Sequence, residues 1–158
     1  MADTEEIPVP GVRGLDHTAD VGLKVSAPDL PELFRRAALG TIWLVLEDLP
    51  GGESLSDGEG GRKVDLVEED LPGLMRSWLR TVLFWEEVDS FLAVQASLMV
   101  LPAPQCGSPD GQGFGLTGWA AGVESTGARI REIKGVTFHG LRVERIDSQW
   151  YAQVIFDV

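Results

Sequence analysis

LDHTADVGLKVSAPDLPELFRRAALGTIWLVLE, Leu15 to Glu47, changes periodicity partway along, and that change decides the fold class. Up to Ala27 the text is β-like: Val21, Leu23 and Val25 alternate with Gly22, Lys24 and Ser26, as in a half-buried strand. Asp29 then reads as a helix N-cap, with Glu32 three residues on completing a capping-box-like pair. Leu30, Leu33, Phe34, Ala37 and Ala38 follow at helical spacing, and Ile42, Leu44 and Val45 continue the stripe to about Glu47.

Working outward, PGGESLSDGEGGR (Pro50 to Arg62) is a Gly-rich acidic loop. Lys63 to Glu69 alternates again as a short strand. A second helix starts at Asp70, with Leu71, Leu74, Met75, Trp78, Leu79, Val82 and Leu83 on one stripe; Trp78 belongs in the core. Phe91 to Leu101 is a strand apolar enough to lie centrally in a sheet. Pro102 to Gly113 is a loop, Phe114 to Val123 a weaker strand, and Glu132 to Ile146 a β-like run broken at Gly140. Trp150 to Phe156 alternates cleanly. Strands gathered after two helices predict an α+β fold: a largely antiparallel sheet with both helices packed on one face. The two strand–helix–strand passages suggest a duplicated module. Residues 1–14 read as a flexible N-terminal leader, and 15–158 as one domain.

Composition narrows the function. Thirteen Lys+Arg against 25 Asp+Glu give a net charge of −12. Phosphate backbones are held by clustered cations, so direct nucleic-acid binding is not expected. An acidic chain instead suits cations or basic protein surfaces. No apolar run approaches the roughly 20 residues that cross a bilayer, and the acidic N-terminus does not resemble a signal peptide. The single cysteine, Cys106, sits in a Pro/Gly-rich stretch as a passive thiol, which suits a reducing cytoplasm.

Three segments carry candidate chemistry. Asp16-His17-Thr18-Ala19-Asp20 offers two carboxylates and an imidazole; in a continuous extended segment Asp16, Thr18 and Asp20 would share one face. Two carboxylates on one side suit a hard cation such as Ca²⁺ or Mg²⁺, although neighbouring acids are ordinarily just a solvated surface. At the C-terminus, Asp157 and Val158 bring a side-chain carboxylate and the α-carboxylate together, a second hard-cation arrangement. In the third, Glu132 to His139, Lys134 is one of only three lysines beside ten arginines, which hints that a compact ammonium matters there. His139 reads as a structural residue. There is no nucleophile elbow, P-loop, HExxH or paired-Cys motif. A metal-dependent phosphoesterase built on Asp16, His17 and Asp20 would lack both nucleophile and phosphate cradle.

Together these segments resemble the archease family. DHTADVGLKV (Asp16 to Val25) is similar to that family's opening signature. LPELFRRAA (Leu30 to Ala38) and DLPGLMRSWLRTVLF (Asp70 to Phe84) resemble its two helices, EIKGVTFHGLRV (Glu132 to Val143) its EIKAVTYH-type segment, and WYAQVIFDV (Trp150 to Val158) its ending. The match runs in order from Leu15 almost to the end. Ser77 and Thr81 stand where the family's second helix has acids, Gly135 replaces a usual Ala, and Phe138 a usual Tyr.

The resemblance implies a metal-binding protein cofactor, not an enzyme. It would activate an RtcB-type RNA ligase in tRNA splicing and RNA repair by promoting guanylylation and multiple turnover. It implies a Ca²⁺ site on Asp20, Asp157 and Val158, and a role in partner activation for Lys134, Asp16 and His17. An acidic protein-binding scaffold with a structural cation is the alternative reading.

Overall fold

The computed structural model describes residues 3–16, 20–50, 61–103, 112–125 and 129–158. The chain order is β1 (Asp3–Glu6), β2 (Val12–Asp16), β3 (Asp20–Ala27), α1 (Leu30–Leu46), β4 (Arg62–Glu68), α2 (Leu71–Asp89), β5 (Phe91–Pro102), β6 (Phe114–Glu124), β7 (Gly135–Val136), β8 (Arg142–Ile146) and β9 (Gln149–Asp157). The α+β class holds, and every strand pair is antiparallel. The strands divide into two sheets. One runs β1-β2-β3-β9-β7, with β8 also on β9; the other runs β4-β6-β5. Both helices touch strands of both sheets, and one hydrophobic cluster joins all the layers.

The helices begin alike. The Asp29 side chain accepts from Glu32 N at 2.9 Å and the Asp70 side chain from Gly73 N at 2.7 Å, with Pro31 and Pro72 in the first turns. Those contacts satisfy amides that the helix itself leaves unpaired. The Glu32 carboxylate does not turn back to complete a capping box. It goes to Arg35 and Arg36 instead. Both helices stop on a left-handed residue, Glu47 (φ 49°) and Ser90 (φ 52°). Trp78 is fully buried, donating Nε1 to Phe34 O at 2.9 Å, which fastens α2 to α1.

Three further expectations change. Residues 3–14, expected within a flexible leader, supply β1 and most of β2, and Ile7, Val9 and Val12 are buried. Their short apolar pattern gains meaning only when β2 pairs with β3. β5 is an edge strand, and the Gly-rich β6 lies between β4 and β5. Small residues allow the close approach there: at Gly118 (φ +146°) a Cβ would fall 1.9 Å from Ser97 O, and at Gly122 2.1 Å from Leu92 O. Finally, the Glu132 to Ile146 run breaks into the two-residue β7, a turn with Gly140 at φ +64°, and β8, all along the far edge of β9. Cys106 lies outside the described residues.

Candidate functional site

β3 and β9 are adjacent and antiparallel over eight residue pairs, from Ala27↔Trp150 to Asp20↔Asp157. One face of this ribbon is core: Val21, Leu23 and Val25 stand opposite Phe156, Val154 and Ala152, all buried. Period-two alternation then turns the intervening pairs outward. Asp20 and Asp157 are the last such pair, half-buried and exposed respectively. Directly opposed residues share a face, with Cβ atoms about 4.5–5.5 Å apart. Two carboxylates from opposite ends of the sequence therefore meet at one tip of the sheet.

The other side of Asp157 is held by the segment containing Lys134. Lys134 N donates to Asp157 O at 2.7 Å, Gly135 pairs with Asp157, Val136 with Phe156, and Thr137 N donates to Ile155 O at 3.0 Å. Arg76 on α2 braces this segment, donating Nε to Val136 O at 2.8 Å and stacking over the Phe138 ring at 4.1 Å. Lys134 is exposed beside the tip, and a Cβ placed on Gly135 would meet nothing within 4 Å. Val158, half-buried, follows Asp157 directly.

Asp16 does not join Asp20 on a continuous strand. β2 ends at Asp16 and β3 begins at Asp20; Asp16 takes the register position opposite Val21, one step from the Asp20↔Asp157 pair. His17 lies outside the described residues. His139 is exposed on the turn after β7. Ser77 donates to Glu68 Oε1 at 2.6 Å and Thr81 to Ser77 O at 2.9 Å, so both are tied to local partners.

Among the described residues no three His, Cys, Asp or Glu side chains gather into a metal-holding group. Among the described residues, side chains provide two donors at the tip, Asp20 and Asp157. Further ligands would be main-chain oxygens such as that of Val158, or water. An all-oxygen set of this kind, open on one side, fits a hard cation better than a soft one. The bracing by Arg76 and Phe138 was invisible in sequence, because Arg76 and Val136 are separated by 60 residues.

Residues 13–158 match the model of the Archease protein family. The chain belongs to the archease family. Curated archease relatives include that of Methanothermobacter thermautotrophicus, 31% identical with 94% of this chain and 99% of the relative covered. The archease of Methanopyrus kandleri is 30% identical, with 91% and 96% covered. The solution structure of Methanobacterium thermoautotrophicum protein 1598 superposes with a TM-score of 0.68 at 29% identity, covering 94% of this chain and 99% of that one. Among the described residues, no helix is long and apolar enough to cross a membrane.

Proposed function

We propose that this archease is a protein cofactor, not itself an enzyme, that activates an RtcB-type RNA ligase in the cytoplasm during tRNA splicing and RNA repair. The observation that carries the proposal is the Asp20↔Asp157 register pair at the exposed tip of the six-stranded sheet. Like charges placed directly opposite destabilise a sheet, so the pair is better explained by a bound cation than by folding.

Asp20, Asp157 and the main-chain oxygen of Val158 would hold a divalent cation, Ca²⁺ by analogy with relatives. Bound there, the ion would neutralise the tip and present a hard Lewis acid to the partner. The chain's own residues do the remaining work. The β3–β9 ribbon fixes the two carboxylates on rigid backbone. The Lys134–Asp157 main-chain bond sets the Lys134 backbone beside the tip, from which its ammonium would contact a phosphate or carboxylate of the ligase. The net charge of −12 favours approach to a basic RNA-binding cleft and repels free RNA.

The test is to mix sub-stoichiometric protein with the cognate ligase and follow guanylylation of the ligase's active-site histidine and turnover of RNA ends. Stimulation by the parent chain is expected, with loss in Asp20→Ala, Asp157→Ala and Lys134→Ala variants that remain folded. Full stimulation by either aspartate variant would sink the metal-tip reading. Absence of any stimulation would favour a scaffold that docks another protein.

A further inference from the structure

The outward face of the six-stranded sheet carries a second row of like charges, well away from the acidic tip. Arg13 on β2 lies opposite Lys24 on β3, Lys24 opposite Gln153 on β9, and Gln153 opposite Arg142 on β8. The row crosses four strands, roughly 14 Å at about 4.8 Å per strand. It stands four residues along β3 from Asp20, about 13 Å away. All three cations are exposed. Arg142 donates to Gln153 Oε1 at 3.1 Å. Among the described residues, none of the three forms an ion pair with a carboxylate, whereas Arg35, Arg36, Arg62 and Arg129 all do. A chain with 25 acids and 13 cations has thus aligned three cations on one face, with Glu6 on β1 opposite Arg13 closing one end of the row. As at the tip, directly opposed like charges work against the fold.

The row also lies in a depression. A cavity of about 710 Å³ under the β1–β2 connection is lined by Pro8, Pro10, Arg13, Lys24 and Tyr151. A second, of about 160 Å³, is lined by Lys24, Tyr151, Arg142 and Ile146. Lys24 and Tyr151 belong to both, so the two adjoin across the row. Tyr151 is 38% exposed and Ile146 49%, and each cavity has one acid, Glu6 or Glu144.

We propose that this groove binds an extended acidic peptide segment of a partner protein. Carboxylates on one side of such a peptide, about 6.7 Å apart at alternate positions, would engage Arg13, Lys24 and Arg142. Its apolar side chains would pack on Tyr151, Ile146 and the two prolines. Charge decides between this occupant and nucleic acid. A phosphodiester carries an anion at every unit and meets the whole −12 field as well as Glu6 and Glu144. A peptide with a few spaced carboxylates carries less charge against that field, and its apolar side chains can use Tyr151, Ile146 and the prolines, which a phosphodiester backbone cannot. The proposal is independent of the ligase reading, since it concerns the isolated chain.

The test is fluorescence anisotropy of the full chain with two labelled probes: a peptide alternating glutamate and leucine, and an oligouridylate of equal length. The peptide should bind, with affinity falling as salt rises. An Arg13→Glu/Lys24→Glu double variant should bind it at least about tenfold more weakly. Lys24→Ala alone, which relieves repulsion and leaves the fold intact, should weaken it in the same direction. Asp20→Asn should leave it unchanged. Failure of the peptide to bind, indifference to the charge reversal, or tighter binding of oligouridylate through the same residues would each overturn the proposal.

Discussion

Asp20 and Asp157 face each other across the β3–β9 ribbon, 137 positions apart in sequence and directly opposed in register. The buried Val21↔Phe156 pair beside them fixes that register, because a one-residue slip would turn Phe156 outward. The two carboxylates are therefore held together whether or not an ion lies between them.

The first prediction concerns that repulsion. In chelator, Asp157→Asn should be more stable than the parent by about 0.2–1 kcal/mol, since it removes one member of an opposed like-charge pair. In saturating Ca²⁺ the order should reverse: the parent gains about 2.7 kcal/mol at a hundred times its dissociation constant, and the variant gains little. Thermal melts with and without Ca²⁺ measure both. A parent whose melting temperature ignores Ca²⁺ would count against the site.

Gly135 stands beside Asp157 with open space where a Cβ would go. Its backbone is not in the left-handed region. Gly135→Ala should accordingly stabilise the protein by about 0.4–1 kcal/mol, through the lower entropy of the unfolded chain. Ligase stimulation should be retained. Denaturant titration reads the first effect, and a destabilised variant would show that the segment needs glycine's freedom.

Trp78 joins the helices through a buried hydrogen bond to Phe34 O. Trp78→Phe removes the donor and leaves a void, while Phe34 O keeps its place in the hydrogen bonding of α1. The expected cost is about 0.5–1.5 kcal/mol for the lost hydrogen bond, with a further contribution from the cavity. Urea unfolding should show a lower midpoint with an unchanged slope.

Glu32 has its carboxyl pulled down to about 2 from the ordinary 4.5, chiefly by the hydrogen bond from Arg35; burial partly opposes this and Arg36 adds to it. The folded value is depressed, so the stabilisation is complete above the unfolded value near 4.5 and is lost as pH falls toward 2. Glu32→Gln should therefore lose less stability than the parent over that interval. Parallel melts across the acid range would reveal it; identical slopes would mean that the Arg35 and Arg36 contacts do not hold in solution.

How much of this was legible in the sequence depended on how local each signal is. Helix starts at Asp29 and Asp70 were readable because a cap and its amide are three residues apart. β9 was readable from strict alternation. The Asp16 to Asp20 stretch was less legible: β2 ends at Asp16 and β3 begins at Asp20, a division that strand pairing sets and residue alternation does not mark. β5 misled for a related reason: its apolar start reads as central, yet Gln95, Ser97, Met99 and Leu101 are exposed on the outward face of an edge strand. Residues 3–14 were missed because Ile7, Val9 and Val12 are too few to signal a strand without the sheet they join.

The helices, the α+β class, the acidic character and the likeness to archease were all legible in local pattern or in motifs taken in order. The division into two sheets, the meeting of Asp20 with Asp157, and the row of Arg13, Lys24 and Arg142 emerge only from the folded chain. The reason is physical. Strand order and register are fixed by hydrogen bonds and core burial between segments distant in the chain, and no short stretch of residues encodes its own partner.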